Sequence, residues 1–274
     1  MKIGFIGCGN MGSAMLKGIL ASGKIKATEC IATAKSEDSR QKIKNTLNIN
    51  LAASNQEAVE FSDLIFLAVK PQCYEQVITE IKGCVRENQI LVSMAPGKSL
   101  ETLEKMFGKM VKLVRTMPNT PAMVMEGMTA YCANTQVTQQ EKAQVVQILS
   151  YFGKAEEVEE SLMDVVTSVS GSSPAYVFMF IEAMADAAVA DGMPRNQAYT
   201  FAAQAVLGSA KMVMETGLHP GVLKDMVCSP GGTTIEAVRV LEEKGMRSSV
   251  IEAMKACVKK AGGLNNISDA PLFK

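Results

Sequence analysis

The chain has 274 residues, 47% hydrophobic and 20% charged, enough to bury a sizeable core in one large or two ordinary domains. Twenty-eight basic residues balance 28 acidic ones, and no basic run supplies the electrostatic footprint that nucleic acid needs, so no nucleic-acid partner is expected. The seven cysteines (Cys8, Cys30, Cys73, Cys84, Cys132, Cys228, Cys257) are odd in number and never spaced C-x-x-C, which argues against a disulfide framework or a metal knuckle and for a reducing, cytoplasmic setting.

The N-terminal dozen residues, MKIGFIGCGNMG, place a short apolar run directly before Gly7-x-Gly9-x-x-Gly12. In such a strand-to-helix turn the first glycine allows the tight turn, the second lets a pyrophosphate approach the backbone, and the third lets the helix lie close to the sheet. Asn10 and Met11 lie inside the same turn. The required order is completed by a predicted helix over 13–21, stopped by Gly23; the alternative is a glycine-rich turn without a ligand. No secretory h-region follows the single lysine at the start, and no stretch offers the ~18 apolar residues of a spanning helix, so neither export nor membrane insertion is expected.

A second strand is predicted over 29–33 and a helix from Ser36 through Lys44, with Ser36 as N-cap. A site preferring NAD places an acidic residue about 20 residues past the glycines, at the end of this strand. Here 31–36 reads IATAKS, without a carboxylate. Thr33, Lys35 and Ser36, with Arg40 a turn later, suit a phosphate dianion, so NADPH is expected over NADH. NAD stays admissible, because Glu37 and Asp38 blunt the positive field and Lys35 and Arg40 also read as solvated surface charges.

Strands are predicted over 48–52, 63–69, 89–94 and 111–116, and helices over 56–61, 74–85 and 100–107. The continuous apolar runs read as parallel strands covered on both faces, hence a doubly wound Rossmann-type sheet. Residues 128–133 and 154–158 extend it around a helix over 139–151, closing a dinucleotide-binding domain at 1–160. Beyond Ser161 helices are predicted over 164–170, 175–190, 195–215, 233–243 and 248–261, an all-helical domain at 161–274 with a frayed polar tail from 263. Alanine-rich helices such as 175–190 are apolar over more than one stripe and need more cover than one small domain supplies; a homodimer through this domain follows.

Three glycine-, proline- or hydroxyl-rich segments remain: 115–121 (RTMPNTP), 170–176 (SGSSPAY) and 229–234 (SPGGTT). The last puts Thr233 and Thr234 at a helix start, where amides, hydroxyls and the positive end of the dipole can hold a carboxylate without an arginine, although the same pattern also serves as a plain threonine cap. Lys70, before Pro71, either attracts a carboxylate or is simply exposed, and the single histidine, His219, reads as structural in an interhelix turn.

The chain resembles the Δ1-pyrroline-5-carboxylate reductase family, end to end. The segment 225–237 (DMVCSPGGTTIEA) closely follows that family's signature, and 68–71 (AVKP), 117–121 (MPNTP), 170–176 and 219–225 (HPGVLKD) match as well. One departure is Ser173, where the family commonly has glycine. The resemblance implies NAD(P)H contacted by Gly7 to Gly12, by Thr33, Lys35 and Ser36, by Asn55, by the turn of Ala68, Val69, Lys70 and Pro71, and by Met94 and Asn119. It further implies interlocked helical domains in a homodimer, often assembled to a decamer, with the 229–234 loop of one subunit meeting the nicotinamide held by the other. The substrate is then a five-membered cyclic imine bearing a carboxylate, reduced in the last step of proline biosynthesis.

The chemistry agrees with an imine. A reduced ketone leaves an alkoxide that needs a positioned acid, whereas a protonated imine accepts hydride and becomes a neutral amine directly. The mechanism expected is hydride transfer from C4 of the nicotinamide to the imine carbon, with the reacting atoms about 3–3.5 Å apart. Ser229, Gly231, Gly232 and Thr233 are expected to hold the carboxylate, and Thr234 to hydrogen-bond the ring nitrogen or relay its proton. Two rivals are a β-hydroxyacid dehydrogenase and a non-catalytic dinucleotide sensor. The first needs a lysine and an asparagine six and ten residues past Gly171, where Val177 and Ile181 stand; the second would leave absorbance at 340 nm unchanged with NADPH and imine.

Overall fold

The computed structural model describes residues 1–264. The described residues form two compact units, 1–172 together with 257–264, and Ser173–Ala256.

In the first unit β1 (Ile3–Ile6), α1 (Asn10–Ala21), β2 (Cys30–Ala32), α2 (Glu37–Leu47), β3 (Asn50–Leu51), α3 (Asn55–Phe61), β4 (Leu64–Leu67), α4 (Tyr74–Ile81), β5 (Ile90–Ser93), α5 (Leu100–Phe107) and β6 (Lys112–Met117) alternate, followed by β7 (Gly127–Ala133), α6 (Gln139–Leu149), β8 (Gly153–Glu157) and α7 (Met163–Val166). The eight strands make one sheet in the order β3-β2-β1-β4-β5-β6-β7-β8. The expected doubly wound sheet is present, and the first six strands are parallel. The structure adds a reversal: β7 runs antiparallel to β6, with Val114 opposite Ala133, and β8 runs parallel to β7. The link from β6 to β7 carries only a 3₁₀ turn, Thr120–Val124, too short for the helical crossover that a parallel pair requires.

Both faces of the sheet are covered, which is why its strands read as unbroken apolar runs. Phe5 and Phe66 stack at 4.5 Å on the face carrying Met15 and Ile19 of α1 and Ile148 of α6. Ile6, Ile65 and Leu67 face the other way, against Tyr74 and Ile78 of α4 and Leu103 of α5. Serines or threonine cap four helices: Ser36, Ser54, Ser99 and Thr138 each accept from a first-turn amide. The third strand is shorter than predicted because Asn48, at φ 50°, is the left-handed cap that ends α2 and cannot begin a strand. α4 likewise ends at Ile81, two residues before Gly83, and does not reach Val85.

One buried ion pair ties β6 to the segment after β8. Arg115, 4% exposed, donates to Glu160 Oε1 at 2.9 Å, and the same oxygen accepts the Leu100 amide at 2.7 Å. Glu160→Ala leaves that guanidinium buried without its partner. Stability falls by about 3 kcal/mol, the low end for a broken buried pair because a third of the Glu160 side chain is already in water. Urea unfolding at fixed protein concentration measures it; an unchanged midpoint refutes it.

The second unit is helical: α8 (Ser173–Ala190), α9 (Arg195–Thr216), α10 (Pro220–Val227), α11 (Thr233–Glu243) and the start of α12 (Met246–Leu264). α10 was not among the predicted helices. Pro220 reads as a break, yet it occupies the first helical position, where its missing amide costs nothing, and His219 caps the turn by accepting the Gly221 N–H on Nδ1 at 3.0 Å. That capping role is the structural one expected of His219. The predicted 164–170 helix is α7 followed by a π turn, Thr167–Gly171. Gly263 and Leu264 belong to α12; the rest of the tail predicted from 263 lies outside the described residues.

Of the 18 residues of α8 only Ala185 is buried, and of α9 only Ala198 and Ala202. Phe178, Met179 and Phe201 are each more than 60% exposed. α8 begins two residues before its predicted start. The helical run Glu160–Ala190 is long and apolar enough to cross a membrane by length and composition, with a mean hydropathy of 1.2 over its most apolar window and 6% of that window buried. At 18 residues α8 reaches a spanning length by itself, whereas the helix predicted over 175–190 falls short of it.

Candidate functional site

The residues expected to hold a coenzyme converge on one edge of the first unit's sheet, the carboxyl ends of its parallel strands. Gly7 follows β1, Thr33 follows β2, Ala68 follows β4, Met94 follows β5 and Asn119 lies just past β6. The strand order reverses between β1 and β4, and open α/β sheets bind ligands in the crevice at that reversal.

The turn itself is shaped for an anion. Gly7 sits at φ +79°, and a Cβ there would stand 2.3 Å from Val69 Cγ1, so both its conformation and its neighbour demand glycine. Nothing lies within 4 Å of the place where a Gly9 Cβ would be, so that face of the backbone is open. Gly9 is also the N-cap of α1 and offers no side chain, which leaves the first-turn amides of Asn10, Met11 and Gly12 at the positive end of the helix. Cys8, inside the turn, is buried; burial pushes its thiol above the ordinary range, against a weaker contrary pull from Ser13 at 3.4 Å, so no thiolate opposes a phosphate.

Beside the turn lies a cleft of about 360 Å³ whose walls include Thr33, Lys35, Arg40, Asn55, Val69 and Glu80. Lys35 is exposed, as a residue reaching for phosphate must be, whereas Arg40 bonds the Ala52 carbonyl at 3.2 Å and lies 3.8 Å from Glu37. Ser36 is not among the lining residues; its hydroxyl caps α2 by accepting the Ser39 N–H at 3.2 Å. The Thr33 hydroxyl is engaged within the protein, accepting the Gly7 N–H at 3.0 Å and donating to Asn55 Oδ1 at 2.9 Å.

The later turns are held from below by a residue the sequence reading did not single out. Tyr74, 1% exposed, donates to the Leu67 carbonyl at 2.6 Å and accepts the Met94 N–H at 3.2 Å, clamping the ends of β4 and β5 to one hydroxyl. Burial pushes its phenol up to about 12, so it stays neutral and does both. Ala68 donates to the Ile6 carbonyl at 2.9 Å; Lys70 is exposed and precedes a 3₁₀ turn that begins at Pro71. Asn119 is 8% exposed, with its side chain used structurally: Nδ2 donates to the Ser170 carbonyl at 3.0 Å and Oδ1 accepts the Met128 N–H at 2.8 Å.

The other expected residues form a separate constellation in the second unit. Gly231, at φ +69°, turns the chain, and the Gly232 amide donates to the Ser229 carbonyl at 3.0 Å. A Cβ on Gly232 would meet Ser229 Oγ at 2.5 Å, so the serine hydroxyl and the helix start share a space only glycine leaves free. Gly232 is the N-cap of α11 without a side-chain cap, and Thr233 and Thr234 are its first two residues. Ser229, Gly231 and Thr233 are exposed and Thr234 half-buried. A small carboxylate finds amides, hydroxyls and a helix dipole there, and no formal positive charge is needed.

Comparison with known proteins finds two family matches. A family model described as pyrroline-5-carboxylate reductase dimerisation matches residues 160–264, and one described as NADP oxidoreductase, coenzyme F420-dependent, matches residues 2–97. The chain is 54% identical over 264 residues to the pyrroline-5-carboxylate reductase of Escherichia coli K12, covering 96% of this chain and 98% of that one. It is 40% identical to the Arabidopsis thaliana pyrroline-5-carboxylate reductase over 96% of this chain and 95% of that one. The crystal structure of Plasmodium falciparum pyrroline carboxylate reductase with NADP bound superposes with a TM-score of 0.89 at 35% identity, covering 97% of this chain and 98% of that one.

Proposed function

Since the chain belongs to the pyrroline-5-carboxylate reductase family, we infer that it reduces the cyclic imine L-1-pyrroline-5-carboxylate to L-proline with NAD(P)H, the last step of proline biosynthesis. One observation carries this reading: 54% identity running through essentially the whole chain, which itself contains both the glycine turn and the 229–234 loop. The enzyme is an NAD(P)-dependent oxidoreductase acting on a C=N bond, and it works as a homo-oligomer through its helical region.

The first-turn amides of Asn10, Met11 and Gly12 hold the pyrophosphate, and the turn from Ala68 to Pro71 with Met94 borders the rest of the coenzyme. Lys35, with Ser36 nearby, meets the 2′-phosphate, which makes NADPH the preferred donor. Bound there, the coenzyme supplies the hydride. Ser229, Gly231, Gly232 and Thr233 bind the substrate carboxylate, and Thr234 holds the proton at the ring nitrogen. In this reading residues 1–160 form the dinucleotide-binding domain and 161–274 the substrate and dimerisation domain. The loop of one subunit then completes the site of its partner. Balanced charge supports the absence of nucleic acid, and an oligomer interface accounts for the apolar Glu160–Ala190 run without a membrane. Seven unpaired cysteines support a cytoplasmic location.

Purified protein mixed with pyrroline-5-carboxylate and NADPH loses absorbance at 340 nm; a flat trace would sink the assignment. Measured with both donors, kcat/KM is higher for NADPH than for NADH, and equal or better use of NADH removes the role given to Lys35. Light scattering of the same preparation separates a homodimer from a higher oligomer such as a decamer.

A further inference from the structure

No carboxylate stands at the end of β2, yet one reaches the same cleft from α4. Glu80 Oε2 accepts Asn55 Nδ2–H at 2.7 Å, Oε1 accepts Gln76 Nε2–H at 3.0 Å, and Gln56 Nε2 donates to the Glu80 backbone carbonyl at 3.1 Å. A carboxylate only accepts, so Glu80 dictates which end of the Asn55 amide faces it. Oδ1 is left toward Thr33; the Thr33 hydroxyl must then donate to it, at 2.9 Å, and keeps only lone pairs for the Gly7 N–H at 3.0 Å. Every bond in this series has one permitted direction. It joins α4, α3, the end of β2 and the left-handed Gly7, the residue that sets how the amides of Asn10, Met11 and Gly12 are aimed.

We propose that Glu80 is a positioning residue for coenzyme binding, holding the 7–12 turn in its anion-binding shape through Asn55 and Thr33. The inference rests on the reading that NAD(P)H occupies that turn. Glu80 touches neither reacting atom, so its effect falls on coenzyme affinity and leaves the hydride step alone. The hydrogen-bond polarity also predicts a rescue. In N55D two carboxylates confront each other across the 2.7 Å contact and the series breaks. In N55D/E80Q the introduced glutamine donates to one oxygen of the introduced aspartate while the other still accepts from Thr33, so the series closes again with one bond reversed.

The test is equilibrium titration of the full-length protein with NADPH by nucleotide fluorescence, with steady-state kinetics and thermal unfolding on the same variants. E80A is expected to weaken NADPH binding about tenfold, with kcat and the KM for pyrroline-5-carboxylate within about twofold of the parent. E80Q recovers most of that loss, since its amide oxygen still accepts from Asn55, and N55D/E80Q binds NADPH more tightly than N55D. Undiminished binding by E80A overturns the proposal, as does a double variant no better than N55D, or a loss confined to Tm and kcat. Should E80A fail to fold, the comparison of N55D with N55D/E80Q decides. Parent protein that does not bind NADPH would instead overturn the coenzyme reading and this inference with it.

Discussion

Thr234→Ala lowers kcat/KM for pyrroline-5-carboxylate by about 10²-fold, the range for loss of a group that takes part in proton transfer. Thr234 is the second residue of α11, half-buried, behind an N-cap that has no side chain. Alanine is well tolerated in a helical first turn, so the helix, its amides and its dipole survive while the only change near the ring nitrogen is loss of a hydroxyl. The fall should therefore appear in kcat, with the KM for NADPH unchanged, and Thr234→Ser should restore most of it. Steady-state rates at 340 nm with each substrate varied provide the check, and circular dichroism confirms that α11 persists. An unaltered kcat/KM would pass the proton step to water and leave Thr234 as an ordinary first-turn residue of α11.

Gly7→Ala produces a loss of similar size by a different route. At φ +79° the backbone lies where a side chain costs on the order of 1–2 kcal/mol. The added methyl would also stand 2.3 Å from Val69 Cγ1 and 3.2 Å from Val69 Cα, the second a backbone atom that cannot turn aside. The turn has to move away from β4, and displacement of a binding loop by about 1 Å can cost about 10²-fold in kcat/KM. Here the loss appears first as a higher KM for the coenzyme. Val69→Ala added to Gly7→Ala removes the nearer clash but not the conformational strain, so it should return only part of the affinity. Full recovery would mean that packing alone makes position 7 a glycine.

The coenzyme half of the site was legible because its determinants are close in sequence. Three glycines on a fixed spacing, preceded by an apolar run and followed by a helix, specify a strand-turn-helix with open amides whatever the rest of the chain does. The need for an oligomer was legible in the same way, since alanine-rich helices apolar on several sides leave α8 and α9 almost entirely uncovered in one subunit. Residues whose task is to connect distant segments gave no comparable sign. Glu80 meets Asn55 from 25 positions away and Arg115 meets Glu160 from 45; neither glutamate stands out among its neighbours in the sequence. Tyr74 reads as an ordinary apolar position of α4 until the ends of β4 and β5 are seen to meet at its hydroxyl. Thr33 reads as a phosphate contact, and its hydroxyl turns out to bind Gly7 and Asn55.

By itself the sequence determined the alternation of strands and helices, the tight glycine turn after the first strand and the amide-rich helix start at Thr233, because each depends on torsional freedom and periodicity within a few residues. Only the tertiary structure decided the reversal of β7, the helix that begins at Pro220, and the directed hydrogen bonds that end at Glu80. Those depend on which surfaces and polar atoms come within reach of one another, and a hydrogen bond formed across the fold leaves no periodic trace along the chain.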